Sequence, residues 1–174
     1  MSNLRVIKVG GSLLNLSDLS RRIQVWLQSK REATNVFLIG GGEICNELRR
    51  LDARFQLGPE FSHDCAIELM KVTAAILSRV LDTKLEPDFA NLGTGRGDAV
   101  FECSGWLRSK EDQVPQTWDF TSDSISALLA HELNAELCLL KSVDRDDEDA
   151  TDRCFAEFSQ SVEVEFVNLR QQTS

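Results

Sequence analysis

The sequence has no long apolar run, no closely spaced cysteine pair and no surplus of basic residues. A membrane-spanning helix needs about 20 consecutive apolar residues and a signal peptide needs an apolar stretch of about 7–15 residues after a charged start, and the chain shows neither pattern. The five cysteines are odd in number and widely spaced, which argues against a zinc knuckle and against a disulfide framework. We therefore expect a reduced, cytoplasmic protein.

The charge balance is acidic, because 28 Asp and Glu stand against 19 Lys and Arg and give a net charge of −9. Nucleic acids and anionic membranes are therefore poor partners. A phosphate ligand would have to be held locally, by single cations and backbone dipoles, against this overall field. The 174 residues are enough for one domain with a sizeable core.

Lys8 lies in a mostly apolar segment, residues 4–9, that ends in Gly10 and Gly11. Burying an unpaired ammonium costs several kcal/mol, so this lysine is expected to meet an anion. The glycine pair lets the backbone turn sharply and approach a ligand, and its N–H groups with the lysine charge behind them would make a phosphate cradle. The alternative is a core ion pair with a carboxylate such as Asp123, and the two interpretations overlap because an organising aspartate would pair with Lys8 in either case.

A second apolar segment, residues 36–39, runs into Gly40, Gly41 and Gly42 and then into a helical pattern from Glu43. Either glycine turn alone could be an ordinary turn between a strand and a helix. Two such turns together favour an anion site.

Apolar periodicity predicts strands that alternate with helices along the chain. Helices are predicted from a cap at Ser17 to about Arg31, from Glu43 to the stop at Gly58 and Pro59, from Ser62 to near Lys84, and from a cap at Thr121 or Ser122 through Leu133. Further strands are predicted at residues 99–103, 136–140 and 162–167, with a weaker helix at residues 151–158. This alternation predicts an α/β fold with parallel pairing and with ligands beyond the carboxyl ends of the strands.

Several polar residues at these ends allow two interpretations each. Asp123 either organises a site or stabilises the positive end of the dipole of the helix that it begins. Asp119 lies in the same hydroxyl-rich loop. Lys141 follows a strand and either points at phosphates or is simply solvated. His63 near a helix start either contacts an acceptor molecule or caps the helix.

These motifs, in this order, resemble those of the amino acid kinase family, which includes carbamate, acetylglutamate, aspartate and uridylate kinases. The matching segments are residues 7–12, 39–43, 119–123 and 139–144, so that the resemblance covers nearly the whole chain. It implies a three-layer αβα sandwich with a mainly parallel central sheet. More particular likenesses, to the 5-(aminomethyl)-3-furanmethanol phosphate kinases of methanofuran biosynthesis, are found at residues 62–63, 66–67, 118, 121–124 and 166–170.

The resemblance implies transfer of the γ-phosphoryl group of ATP, with Mg²⁺, to a phosphate monoester, which gives a diphosphate. Positioning and electrostatic stabilisation should supply most of the catalysis. The catalytic residues implied are Lys8, which would neutralise the transferring oxygens, and Asp123, which would hold lysine side chains and a magnesium ion. The phosphate- and substrate-binding residues implied are Gly10, Gly11, Ser12, Gly40, Gly41, Gly42, His63 and Asp119, and the nucleotide-binding residues are Lys141, Ser142 and Asp144.

The chain departs from the family after Asp144, where residues 145–149 are mostly acidic and the family has a glycine and a longer region that shapes the adenine and ribose pocket. We therefore expect one domain, residues 1–174, with an acceptor part at about 1–115 and an abbreviated nucleotide part at about 116–174. An acidic loop in this place would repel a triphosphate unless magnesium screens it or the loop moves away.

Two hypotheses from different classes remain open. The first is a working kinase that completes its nucleotide pocket in a homo-oligomer. The second is a degenerate relative that binds a phosphorylated metabolite or a partner without catalysis. A kinase for a carboxylate or nucleotide acceptor is a further alternative within the first class.

Overall fold

The computed structural model describes residues 4–94 and 97–171, and within them six strands form one sheet in which each neighbouring pair is parallel. The strand order is β3-β4-β2-β1-β5-β6. The strands are β1 (Leu4–Val9), β2 (Thr34–Ile39), β3 (Lys84–Glu86), β4 (Ala99–Phe101), β5 (Glu136–Lys141) and β6 (Val164–Asn168). The central strand β1 therefore has β2 on one side and β5 on the other.

Six helices connect the strands in the described part of the chain. They are α1 (Leu19–Gln28), α2 (Gly42–Phe55), α3 (Pro59–Leu81), α4 (Ser104–Arg108), α5 (Ser122–Glu132) and α6 (Phe155–Phe158). Short 3₁₀ turns occupy Gly11–Asn15 and Phe89–Asn91. No helix in residues 4–94 and 97–171 has both the length and the apolar character needed to cross a membrane.

Two hydrophobic clusters cover the two faces of the sheet. Ile7 and Val9 of β1 belong to the cluster that includes Ile23 and Trp26 of α1. Val6, on the other face of β1, belongs to the cluster that includes Ile125 of α5. Because side chains alternate along a strand, Lys8 shares the face of Val6 and points toward the α5 layer. The sheet thus has helices on both sides, and the predicted three-layer α/β sandwich with a parallel sheet is confirmed.

Several predicted boundaries are wrong. The cap predicted at Ser17 is replaced by Asp18, because the chain first forms the 3₁₀ turn Gly11–Asn15 and can begin α1 only after it. Helix α3 begins at Pro59, three residues earlier than predicted, since proline suits the first position of a helix. It ends at Leu81 because Asp82 adopts a left-handed conformation, with φ 49°.

The short strand β3 is not predicted, and it begins at Lys84, where the predicted helix from Ser62 was expected to end. It has only three residues, of which Lys84 and Leu85 are exposed, so that no alternation marks it in the sequence. Helix α6 covers four residues in place of the eight predicted. The last strand runs Val164–Asn168, two residues later than predicted at its start.

Candidate functional site

Lys8 reaches a carboxylate across the interface between β1 and α5. Its Nζ atom lies 2.7 Å from Oδ1 of Asp123, and the two side chains are only 4% and 6% exposed. Asp123 stands in the first turn of α5, which packs over this face of the sheet. The apolar strand therefore buries its lysine together with a counter-charge, as the cost of burying an unpaired ammonium requires.

Lys141 shares the same carboxylate. It is the last residue of β5, and its Nζ atom lies 3.0 Å from Oδ1 and 2.9 Å from Oδ2 of Asp123. Since β1 and β5 are neighbours, their carboxyl ends bring Lys8 and Lys141 to the same point. Two ammonium groups around one carboxylate leave one uncompensated positive charge at this edge of the sheet.

Burial and charge act in opposite directions on these groups. Burial alone would raise the pKa of Asp123, but Lys8 and Lys141 outweigh it and hold that pKa below its usual 3.8. Burial, with the charge of Lys8, lowers the pKa of Lys141 to about 8, although Asp123 works against this shift. An added anion would relieve the repulsion between the lysines, so the cluster is electrostatically suited to bind one.

The two glycine turns lie against each other beside these lysines. A Cβ atom on Gly11 would lie 2.2 Å from the backbone nitrogen of Gly42, and Gly42 itself has φ +57°. Neither position can accept a side chain without moving the other turn. The glycines were expected to let the backbone approach a ligand, and in the structure they first let the two turns approach each other.

Not every glycine N–H group is free to bind a phosphate. The N–H of Gly10 donates to the carbonyl of Leu140 at 2.8 Å, and that of Gly40 donates to the carbonyl of Val9 at 3.1 Å. Both bonds extend the pairing between strands. The N–H group of Gly10, which was predicted to bind phosphate, is therefore already occupied by a bond within the fold. Gly11 and Ser12 begin a 3₁₀ turn, and the first N–H groups of such a turn lack partners inside it.

Two adjoining cavities open from this edge of the sheet. The larger, which we call the polar cleft, has a volume of about 830 Å³ and contains Lys8, Asp123 and Lys141. The smaller, which we call the apolar cavity, has a volume of about 200 Å³ and is lined in large part by His63, Ile67, Met70, Trp118, Phe120 and Ile125 together with Gly40, Gly41 and Gly42. Gly11, Ser12, Arg49, Trp118, Thr121 and Ser122 border both.

Arg49 and Trp118 form part of the boundary that the two cavities share. The guanidinium carbon of Arg49 lies 4.6 Å from the centre of the Trp118 ring. The indole N–H of Trp118 donates to Oδ2 of Asp52 at 2.7 Å, and this bond lowers the pKa of Asp52. No carboxylate among the described residues pairs with Arg49. The sequence patterns do not single out Arg49, although its distance of seven residues from Gly42 would place it two helical turns along the same face of α2.

The other predicted site residues lie at different places in and near the two cavities. His63 lies in the apolar cavity, 6.4 Å from Phe120 between ring centres, and burial lowers its pKa. Asp119 lies at the rim of the polar cleft, where it is half exposed and 3.4 Å from Arg153. The hydroxyl groups of Ser12 and Ser142 lie 2.7 Å apart and join the loops after β1 and β5.

Asp144, like Ser142, lines neither cavity. Its carboxylate accepts hydrogen bonds from Asn168 at 2.8 Å and from Gln171 at 3.0 Å. These contacts hold the end of β6 to the loop after β5. Asp144 thus organises the segment behind Lys141, and its predicted contact with a nucleotide stays a prediction.

Asp152 belongs to the site although no local pattern predicts it. It lines the polar cleft, and its carboxylate accepts hydrogen bonds from the backbone N–H groups of Thr121 and Ser124, each at 3.0 Å. One acid among the several between Asp144 and Asp152 cannot be distinguished by sequence alone. Its contact depends on how the chain folds back over α5.

The structure is similar to solved structures of three kinases. They are UMP kinase from Bacillus anthracis, with a TM-score of 0.70 over 98% of this chain and 88% of that one; uridylate kinase from Archaeoglobus fulgidus, with 0.65 over 94% and 89%; and UMP kinase from Ureaplasma parvum, with 0.60 over 84% and 71%. Sequence identity is 15% in each case. No family model and no curated protein matches the sequence. The likeness shows that this chain has the uridylate kinase fold, in agreement with the fold expected from its motifs.

Proposed function

Given the uridylate kinase fold, we propose that this protein is an ATP-dependent kinase that transfers the γ-phosphoryl group to a phosphate monoester. The observation that carries the proposal is the buried cluster of Lys8, Asp123 and Lys141 at the carboxyl edge of the sheet, beside two glycine turns. A phosphoryl group in transfer carries charge on its equatorial oxygens, and fixed cations in a partly enclosed site are what such a reaction needs.

In the proposed reaction an oxygen of the acceptor phosphate attacks the γ-phosphorus of ATP. The new P–O bond gives a diphosphate, while the bond to the bridging oxygen breaks and ADP leaves with its electrons. Lys8 and Lys141 neutralise the transferring oxygens, and Asp123 keeps both ammonium groups in place. Asp123 is a poor general base because its pKa is lowered. A phosphate monoester needs no base, since it is already ionised near neutral pH.

The acceptor occupies the apolar cavity in this proposal. Its walls contain the aromatic rings of Trp118 and Phe120, which would stack on a small planar ring. Arg49 stands where this cavity meets the polar cleft and would bind the acceptor's phosphate group. The size and character of the cavity support an aminomethylfuran-methanol phosphate as the acceptor, and with it a role in methanofuran-type one-carbon cofactor biosynthesis.

Magnesium would enter this site with the nucleotide. In residues 4–94 and 97–171, no group of three or more His, Cys, Asp or Glu is placed to hold a metal ion. The oxygens of Asp123 are already in contact with Lys8 and Lys141, so they do not fit the direct magnesium role expected for Asp123. Mg²⁺ commonly binds through substrate phosphates and water, and there it would neutralise part of the phosphate charge.

A second candidate, binding of a phosphorylated metabolite without transfer, is favoured by the acidic residues of the polar cleft. Asp119, Asp149 and Asp152 all line it. Their charges oppose a triphosphate more strongly than they oppose a monoester. A nucleotide acceptor is a further alternative within the kinase proposal, because uridine monophosphate is itself a phosphate monoester.

Phosphorus NMR distinguishes these candidates. The protein is incubated with Mg-ATP and, in separate samples, with aminomethylfuran-methanol phosphate, with UMP and with aspartate as a carboxylate acceptor. The proposal predicts ADP and a new diphosphate signal with the furan phosphate. A diphosphate signal with UMP alone would move the assignment to a nucleotide kinase. Absence of transfer in every sample, with thermal stabilisation by a monoester but none by Mg-ATP, would replace the kinase by the binding protein.

Replacement of Arg49 tests the place of the acceptor. In Arg49→Ala the acceptor KM should rise by roughly 10- to 100-fold, because a hydrogen bond to a charged group is worth about 1.5–3 kcal/mol. The matched control is Arg50→Ala, since Arg50 is also on α2 but pairs with Glu47 on the exposed surface. Equal effects of the two replacements would remove Arg49 from the acceptor site.

A further inference from the structure

Asp152 contacts the first turn of α5 from a distant part of the chain. Its Oδ2 atom accepts the N–H groups of Thr121 and Ser124 at 3.0 Å each and the hydroxyl of Thr121 at 2.8 Å. Its Oδ1 atom accepts the hydroxyl of Ser124. One carboxylate therefore satisfies two of the backbone donors that open this helix and two hydroxyl groups beside them.

This arrangement replaces the usual cap of a helix. The N-terminal residues of a helix leave N–H groups without partners and carry partial positive charge, which a side chain at the cap position commonly satisfies. Thr121 occupies the cap position of α5, but its side chain makes no capping bond and donates to Asp152 instead. The first turn of α5 thus depends on a residue that follows β5.

Two further contacts fasten the same segments to each other. The backbone N–H of Cys154 donates to the carbonyl of Asp119 at 3.0 Å. The guanidinium group of Arg153 lies 3.4 Å from the carboxylate of Asp119. The chain from Asp152 to Cys154 therefore runs along the loop that leads into α5.

The turn that Asp152 caps is the one that contains Asp123. Since Asp123 contacts both Lys8 and Lys141, a displacement of this turn would move the carboxylate that fixes the two cations. We infer that Asp152 is a positioning residue that holds α5, and through it Asp123, in the geometry that keeps Lys8 and Lys141 together. This inference rests on the proposed function, because the lysines are the groups expected to neutralise the transferring phosphoryl group.

The acidic segment that follows Asp144 therefore has a structural function in addition to its charge. The partial positive charge at the start of α5 offsets part of the charge of Asp152, so this carboxylate repels a nucleotide less than an unpartnered one would. Asp149 lies in the same segment and lines the same cleft, yet forms no hydrogen bond or ion pair with the described residues. It therefore serves as a control that removes one negative charge from the cleft without removing the cap.

The test compares Asp152→Asn with Asp149→Asn by two measurements that need no turnover. Amide hydrogen exchange across residues 121–126 reports the first turn of α5. The pH dependence of acetylation by acetic anhydride reports the protonation of Lys141, on which the charges of Lys8 and Asp123 act directly. The other charged residues of the cleft, which do not contact Lys141, are Arg49, Asp52, Asp119, Asp149, Asp152 and Arg153. In Asp152→Asn we expect faster exchange and a lower acetylation midpoint, because Lys141 loses the favourable charge of Asp123. In Asp149→Asn we expect neither change.

Steady-state kinetics completes the test. In Asp152→Asn, kcat should fall by about 10- to 100-fold, the cost of a small misplacement of reacting groups, while the acceptor KM stays within about twofold of the original.

If Asp152→Asn does not fold, Ser124→Ala removes one of the four bonds and should shift exchange and the Lys141 midpoint in the same direction by less. Exchange and a midpoint that match those of Asp149→Asn would overturn the inference. If the unchanged protein transfers no phosphate but Asp152→Asn still loosens α5 and shifts Lys141, the proposed function fails while the positioning role stands.

Discussion

Lys8 is the residue on which the proposed chemistry depends most. We predict that Lys8→Ala abolishes detectable transfer, a loss of at least about 1000-fold, because one fixed charge beside the transferring oxygens is removed. The fold should persist, since Asp123 keeps Lys141 as a partner and is not left as an unpaired buried charge. Turnover is measured by ADP release and folding by thermal melting. Lys71→Ala is the control, because Lys71 pairs with Glu68 on the surface. Unchanged turnover in Lys8→Ala would exclude Lys8 from the site.

Lys141 should make nucleotide binding sensitive to pH. Its pKa is lowered to about 8, so the ammonium form that attracts phosphate predominates below that pH and is lost above it. We predict that the affinity for Mg-ATP falls as the pH rises through about 8. Calorimetric titrations between about pH 6.5 and 9.5 measure this change. Lys141→Arg should flatten the profile, because a guanidinium group stays charged throughout the range. A flat profile for the unchanged protein would contradict the prediction.

At this scale the sequence predicts some contacts and not others, for a physical reason. A lysine inside an apolar strand requires an anion, and the resemblance to the amino acid kinase family implies Asp123 as the carboxylate, so the pairing of Lys8 with Asp123 could be predicted. The partners of Arg49 and Asp152 depend on which surfaces the fold brings together. Arg49 is one of several arginines on α2, and Asp152 is one of several acids after β5. No local sequence pattern therefore identifies either of them as a site residue.

The two glycine turns act as one element, because each fills the space that a side chain on the other would need. We predict that Gly11→Ala destabilises the protein by about 1–3 kcal/mol or more and lowers turnover, since its Cβ atom would lie 2.2 Å from the nitrogen of Gly42. Chemical denaturation measures the change. Gly105→Ala is the matched control, because a Cβ atom there meets nothing within 4 Å. Equal stability of the two variants would show that the turns can separate at no cost.

The elements themselves were predictable where their pattern is long or strongly marked. The buried strands β1, β2 and β5 and the helices α2, α3 and α5 follow from apolar periodicity and from the glycine stops. Strand β3 did not follow, because three residues with two of them exposed form no pattern. The start of α1 depends on a 3₁₀ turn that uses the residues after Gly10, and no local signal separates that turn from the helix.

At the scale of the whole molecule, an exposed apolar stripe on α3 supports the homo-oligomer expected from the sequence. Val72, Ile76 and Val80 recur at four-residue spacing and are 48%, 41% and 41% exposed. Such a stripe on a helix of 23 residues would be covered by the same stripe of a second copy.

We predict that the protein is a dimer in light-scattering measurements coupled to gel filtration, and that Val72→Glu combined with Ile76→Glu gives a monomer, because two buried carboxylates on each side would face one another. Val25→Glu is the control, since Val25 is 44% exposed on a different helix, α1. A monomer before any replacement would contradict the predicted dimer. A dimer that survives the double replacement would show that the stripe on α3 is not its interface.

We propose that Lys8, Asp123, Lys141 and the joined glycine turns form one site for phosphoryl groups. Calorimetric titration with the magnesium complex of a non-hydrolysable ATP analogue tests it most directly, in the unchanged protein and in Lys8→Ala. We predict one site per chain in the unchanged protein and an affinity at least about tenfold weaker in Lys8→Ala, because a charge-assisted contact is lost. Absence of binding in the unchanged protein, or equal affinity in both, would contradict it.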